Sequence, residues 1–139
     1  MKKLPSTRES LVLRTDFSDT AAWQKICQTI QQPQTEDEFR ANVECISDPA
    51  FTGSSVENIV SLSTGSERTF VFLVDSEALS NPQHPILVVD LYRQPGRTFR
   101  VIPSEMWGVE NNLSLANMDF DEFANAVDED GVFRGFPGG

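Results

Sequence analysis

Three aspartates stand where a predicted strand gives way to a turn or a helix, and they offer the clearest chance of chemistry: Asp16, Asp48 and Asp75. If those strands run parallel, their carboxyl ends share one edge of the sheet, where ligands of open α/β folds bind. Three clustered carboxylates would suit Mg²⁺, and hence phosphoryl transfer or hydrolysis. Aspartate at a strand end is also the ordinary cap of the next helix, and we favour that interpretation.

Other catalytic devices have little support in the sequence. His84 is the only histidine and lies between Pro82 and Pro85, and no serine occupies a GxSxG elbow. No P-loop or glycine-rich turn accompanies the aspartates. We therefore favour a protein that is not an enzyme and predict no cofactor.

Arginines form a local basic site on the chain. Arg93, Arg97 and Arg100 surround the dipeptide PG at 95–96. If Arg14 lies nearby, the four guanidinium groups could bind a carboxylate or a phosphate. The alternative, which we favour, is that these arginines form salt bridges with the protein's own acidic C-terminal segment.

The charge balance limits the possible partners. The chain has 11 basic and 21 acidic residues, a net charge of −10, which argues against binding to nucleic acid or to an anionic membrane. Eight of the acids follow Ile102, where Arg134 is the only base: Glu105, Glu110, Asp119, Asp121, Glu122, Asp128, Glu129 and Asp130. This acidic C-terminal region is expected to bind a basic partner protein.

Residues 111–133, NNLSLANMDFDEFANAVDEDGVF, combine amides, aromatics and carboxylates. Asp119 and Glu122 have the spacing of a capping box, apolar residues follow at helical spacing, and Gly131 is expected to end the helix. This helix leaves some residues unexplained, and the acidity of residues 128–130 has no local structural reason. The predicted partner-binding residues are therefore Asn111, Asn112, Asn117, Asp128, Glu129 and Asp130.

The elements that would position these residues follow from hydrophobic periodicity. Strands are predicted at 11–15, 43–47, 69–75, 86–92 and 98–102, and the last two form a hairpin around a type II turn. The first helix is expected to open at 16–18, and the second at Ser54 with Glu57. A short helical turn at 76–79 and two C-terminal helices follow. The order predicts an α/β fold with a mixed sheet of about five strands and C-terminal helices.

Length and composition indicate one domain at 11–136, with a polar N-terminal tail at 1–10 and a flexible tail at 137–139. Cys27 and Cys45 lie in apolar settings without zinc-site spacing, as expected of reduced core thiols. The chain has no signal-peptide pattern and no apolar run of about 18 residues. We predict a soluble cytoplasmic protein that does not enter membranes.

Several motifs together resemble a known family. They are RTDFSD at 14–19, DPAF at 48–51, HPILVVDL at 84–91, PGRTFR at 95–100 and the string at 111–133. Over residues 11–136 the sequence resembles a family of small bacterial proteins catalogued as a domain of unknown function. The resemblance implies no activity, ligand or catalytic residue.

Two functions of different classes remain open. The favoured one is a non-enzymatic interaction module whose acidic C-terminal region docks a basic partner. Immunity proteins, which neutralise bacterial toxins, are similarly small and acidic. The alternative is a magnesium-dependent phosphoryl-transfer or hydrolytic enzyme that uses the strand-end aspartates.

Overall fold

The computed structural model describes residues 3–136, so the tail predicted at 137–139 and the first two residues of the predicted N-terminal tail lie outside the described residues. Within that range the chain forms six strands, β1 to β6, and five α-helices, α1 to α5. The strands are Ser10–Arg14, Val43–Ile46, Phe70–Val74, Ile86–Asp90, Thr98–Val101 and Val132–Phe133. The helices are Thr20–Gln31, Val56–Leu62, Ser76–Ser80, Met106–Ser114 and Phe120–Ala124, and 3₁₀ turns occupy Pro49–Phe51 and Pro103–Glu105.

The strands form one mixed sheet in the order β2-β1-β3-β4-β5-β6. Strands β1, β2 and β3 are parallel, β4 is antiparallel to both β3 and β5, and β6 is parallel to β5. This arrangement confirms the predicted α/β fold and its mixed sheet. The sixth strand was not predicted, because a strand of only two residues is too short to show alternation.

Both faces of the sheet are covered by apolar side chains. On one face, Trp23 of α1 and Phe123 of α5 belong to the same buried cluster as Phe72 of β3. On the other face, Ile59 of α2 packs in a second cluster with Val71 of β3. Strand β3 therefore contributes to both clusters, which explains its continuous apolar run.

Two helix starts differ from the predictions. Helix α1 begins after Asp19, whose side chain accepts a hydrogen bond from the Ala22 amide at 3.0 Å, so the predicted start at 16–18 was wrong. Helix α2 is capped by Ser55 and Asn58, not by Ser54 and Glu57. Asn58, at the third helical position, supplies the same reciprocal hydrogen bond that a glutamate would supply there. The capping box therefore lies one residue later than predicted.

The predicted type II turn of the hairpin is confirmed. The Arg97 amide donates to the Gln94 carbonyl at 2.9 Å, and Gly96 at the third position has φ of +98°. A positive φ at this position is what a type II turn requires and glycine permits. The buried carboxylate of Asp90 accepts hydrogen bonds from the amides of Tyr92 and Gln94 and so holds the loop in place.

The C-terminal helix α5 starts as predicted and ends early. Asp119 and Glu122 form the capping box, with 2.8 Å between the Asp119 amide and Oε2 of Glu122. The helix ends at Ala124, so its predicted end at Gly131 was wrong. Gly131, with φ of +81°, instead closes a separate turn in which its amide donates to the Asp128 carbonyl at 2.9 Å.

The segment before β1 is attached to the fold by hydrogen bonds from one arginine and by the packing of Leu4 against the second hydrophobic cluster. The Arg68 guanidinium donates to the carbonyls of Pro5, Thr7 and Glu9 at 3.0 to 3.2 Å.

Among the helices formed by residues 3–136, none combines the length and hydrophobicity needed to cross a membrane.

Candidate functional site

The strand-end aspartates lie at one edge of the sheet, because β1, β2 and β3 are parallel. Each one accepts a backbone hydrogen bond from the segment that follows it. Asp16 accepts from the Ser18 amide at 2.8 Å, Asp48 from the Ala50 amide at 2.9 Å and Asp75 from the Ala78 amide at 3.1 Å. Asp48 and Asp75 cap the helical segments that follow them, as expected of aspartate after a strand. Asp16 instead closes a local turn, and Asp19 caps α1.

The surroundings of these carboxylates further define their roles. Hydrogen bonds from the hydroxyl and the amide of Ser18 hold the pKa of Asp16 below its usual value. Asp75 forms a bidentate pair with Arg100 of β5, with N–O distances of 2.9 and 2.7 Å. In the part of the chain that the structure describes, no group of three or more His, Cys, Asp or Glu side chains is arranged to hold a metal ion. The three aspartates share an edge without forming one ligand set.

The four candidate arginines do not form one anion site. Arg14 is buried at the carboxyl ends of β1 and β3, where its guanidinium lies 4.4 Å from the ring centre of Phe17 and donates to Thr20 Oγ1 at 2.9 Å. Because β4 is antiparallel to β3, the hairpin after β4 leaves the sheet at the opposite edge. Arg93 and Arg97 follow β4 and precede β5, and are therefore separated from Arg14 by the length of the sheet.

Arg93 and Arg97 pair with the acidic C-terminal segment, as the favoured interpretation expected, but Arg100 pairs with Asp75 and does not follow that expectation. Arg93 lies 3.5 Å from the Asp119 carboxylate. Arg97 pairs with Asp121 and also donates to Asn125 Oδ1 at 3.1 Å. The helix dipole and these cations both favour the acidic side chains at the start of α5.

The three candidate amides have different surroundings. Asn111 lies in α4, and its Nδ2 donates to the Arg40 carbonyl at 3.0 Å. Asn112 uses its Nδ2 to bond the Gly108 carbonyl at 2.8 Å, one turn earlier in the same helix. Asn117 is exposed in the turn after α4, and its backbone N–H donates to the Asn112 carbonyl. Asn111 therefore connects α4 to the loop before β2, whereas Asn112 has a local role.

Residues 128–130, here called the acidic turn, have a structural reason for their acidity, and the expectation that they lack one was wrong. Arg134 lies 2.7 Å from an oxygen of Asp128 and 2.7 Å from an oxygen of Asp130. Hydrogen bonding to Arg134 holds the pKa of Asp130 below its usual value. Glu129 is exposed between the two paired aspartates. One arginine thus pairs with two of the three acids of this turn, although its single positive charge offsets only one of their three negative charges.

Residues 35–40, here called the acidic loop, contain a surface that the sequence analysis missed. Glu36, Asp37 and Glu38 are exposed, and no ion pair within residues 3–136 involves them. Phe39 is 49% exposed and stacks on Trp107 of α4, with 5.6 Å between ring centres and 12° between planes. Three carboxylates therefore adjoin an exposed phenylalanine that stacks on a half-buried tryptophan. The signal in the sequence was the acidic run EDE directly before Phe39.

Glu110 was assigned to the acidic C-terminal region but contributes little charge to the surface, because only 2% of the residue is exposed. Its carboxylate accepts hydrogen bonds from Ser10 Oγ and the Asn42 amide, both at 2.7 Å, and from Asn111 Nδ2 at 3.0 Å. A buried carboxylate needs such donors to compensate for lost hydration. Glu110 thereby anchors the chain just after the acidic loop to β1 and α4.

A cleft of about 350 Å³ lies beneath the hairpin, at the edge opposite the strand-end aspartates. Phe70, Leu113 and Met118 supply apolar lining, and Arg93 also lines the cleft. Tyr92 contributes to the wall and is 70% exposed. No sequence pattern indicated this cleft, since its walls come from three separate segments of the chain.

The fold defines an α/β protein built on a six-stranded mixed sheet. The chain belongs to the family described as domain of unknown function DUF6924, whose sequence profile matches residues 9–136. This confirms the resemblance to a family without an assigned activity. A comparison with curated proteins gives no match.

Proposed function

We propose that this protein is a non-enzymatic interaction module that binds a basic partner protein, and that the acidic loop is the centre of its docking surface. The observation that carries the proposal is the exposed side chain of Phe39, which stacks on the half-buried Trp107 beside Glu36, Asp37 and Glu38. Apart from this loop, the larger acidic groupings of the described chain are partly compensated by arginine.

The proposed surface has the two properties that a docking site for a basic protein needs. Exposed carboxylates accelerate the approach of a cationic partner and reject anionic ones. Aromatic side chains supply most of the binding energy in many interfaces, because they bury large areas with little loss of conformational freedom. A partner arginine that stacks on Phe39 would combine both contributions.

The acidic C-terminal region supports the proposal less strongly. Its aspartates at positions 119, 121, 128 and 130 each pair with an arginine, and Glu110 is buried. Of the predicted partner-binding residues, Asn111 adjoins the acidic loop through its contact with Arg40. We therefore expect the C-terminal region to contribute the periphery of the interface.

Immunity proteins are one specific form of this function. They are small and acidic, as this chain is. The acidic loop would complement a basic surface on a toxin. For the alternative magnesium-dependent enzyme, the parallel strands supply a shared edge, but Asp75 is already paired with Arg100. The interaction module is therefore the function that the geometry supports better.

Quantitative affinity capture from a native host tests the proposal with two matched variants. One is Glu36→Gln/Asp37→Asn/Glu38→Gln in the loop, and the other is Asp128→Asn/Glu129→Gln/Asp130→Asn in the turn. Both remove three negative charges. We expect the loop variant to lose about tenfold in association with the captured basic protein, and raised salt to weaken wild-type capture. Equal capture by wild type and the loop variant would refute the proposal.

A further inference from the structure

Two cysteines lie on elements that are joined by the segment containing the acidic loop. Cys27 is on α1 and Cys45 is on β2, and both are free thiols with half-buried side chains. Both pack against the same hydrophobic cluster, which contains Trp23 and Ile26 of α1. The thiols therefore occupy the space between this helix and the sheet.

The register of the sheet independently supports this placement. Cys45 is paired with Val12 of β1, and Val12 belongs to the cluster beneath α1. Cys45 therefore lies on the side of β2 that faces the helix carrying Cys27. Interaction with the neighbouring Cys27 thiol, followed by burial, raises the pKa of Cys45.

We propose that Cys27 and Cys45 form a site of reversible oxidation, at which a disulfide ties α1 to β2 at the two stems of the acidic loop. Helix α1 ends at Gln31 and β2 begins at Val43, so the bond would close a covalent ring around the loop. The bond itself does not depend on the proposed function. Only its consequence, a more rigid docking loop, rests on that function.

A small-molecule disulfide such as oxidised glutathione can act as the oxidant. The Cys27 thiolate attacks one glutathione sulfur, its proton goes to solvent, and one reduced glutathione leaves. Cys45 then attacks the sulfur of Cys27 in the mixed disulfide, loses its own proton and releases the second glutathione. The protein loses two electrons, which reduce one glutathione disulfide to two thiols.

The experiment equilibrates the folded wild-type protein with excess oxidised glutathione at mildly alkaline pH, and then alkylates and weighs it under denaturing conditions. We expect an intact mass lower by two hydrogen atoms, the loss of both alkylation sites and a digest peptide that joins Cys27 to Cys45. Dithiothreitol should restore both thiols. Two unmodified thiols, two separate glutathione adducts, or a disulfide between two copies of the chain would each overturn the proposal.

The variants Cys27→Ser and Cys45→Ser provide the controls. Each retains one thiol, so it can carry a glutathione adduct but cannot lose two hydrogen atoms within one chain. Loss of two hydrogen atoms in either variant would show that another reaction is being measured and would overturn the assignment. The readout is the covalent bond and not partner binding, so its failure is distinguishable from failure of the proposed docking function.

Discussion

The acidic loop and the acidic turn have nearly the same composition and lead into the two edge strands of the sheet, β2 and β6. Each contains three consecutive acids, and each has an arginine a few residues later. In the turn, Arg134 pairs with Asp128 and Asp130. In the loop, Arg40 is exposed and forms no ion pair with any residue from 3 to 136.

The difference arises from the backbone. The amide of Gly131 donates to the Asp128 carbonyl, and the turn that this bond closes brings Arg134 back beside the preceding aspartates. At the end of the loop, the Arg40 carbonyl accepts a hydrogen bond from the Asn111 side chain. Two residues later, the Asn42 amide donates to the Glu110 carboxylate. The chain is therefore directed along α4 into β2. Charge composition alone does not determine whether an acidic segment is available to a partner; the turn that follows it does.

The largest loss of stability is expected from Glu110→Ala, which removes the carboxylate that anchors the end of the acidic loop but leaves the acidic turn unchanged. Three donors, from Ser10, Asn42 and Asn111, would lose their acceptor in a buried site. We expect a loss of about 3 kcal/mol in the free energy of unfolding. Denaturant titration measures it. Glu110→Gln keeps the size and one acceptor, so it should lose less; an alanine variant as stable as wild type would show that Glu110 is not an anchor.

A smaller effect is expected from Phe39→Ala, which removes the aromatic stack from the loop and leaves its charge unchanged. Phe39 is half-exposed, so we expect a loss of about 1 kcal/mol in the free energy of unfolding. Capture of the basic partner should fall without a change in its salt dependence. Phe39→Tyr retains a ring for stacking and serves as the control. Unchanged capture by the alanine variant would mean that the carboxylates act without the aromatic pair.

Sequence patterns were sufficient for the five longer strands of the sheet and insufficient for the surface. The five longer strands could be predicted because burial on both faces leaves apolar runs, as in β3. The burial of Glu110 also had a signal, because Met106, Val109 and Glu110 have the i, i+3, i+4 spacing of one helix face. The pairing of Arg134 with the aspartates had no signal in the sequence. It depends on the turn at residues 128–131, which the sequence analysis assigned to the end of a longer helix.

The strand-end aspartates show the same limit. Their common edge follows from parallel strands, which alternating strands and helices indicate. The pairing of Asp75 with Arg100 requires β5 to lie two strands from β3, and this order cannot be derived from periodicity.

A third substitution, Arg134→Ala, should make the turn resemble the loop. Asp128 and Asp130 would lose their partner, so the turn should bind a basic probe more strongly. The pair is solvent-exposed, so we expect only a small downward shift in the denaturation midpoint. Binding of a lysine-rich peptide at low salt measures the first effect. Arg134→Lys keeps the positive charge and should bind the peptide as wild type does, whereas equal binding by the alanine variant would contradict the compensation of the turn.

The smallest expected effect is the pH dependence of the stability that the acidic turn contributes. Because Arg134 depresses the pKa of Asp130 in the folded state, this group stabilises the protein above the pKa of an unfolded aspartate, about 3.9. That contribution is lost as the pH falls below this value towards the folded pKa. The stability difference between wild type and Asp130→Asn should therefore be constant at neutral pH and shrink in acid. Asp37→Asn in the loop is the matched control, since no ion pair within the described chain depends on Asp37. A difference for Asp130→Asn that persists in acid would mean that the asparagine alters the turn itself and not its charge pair.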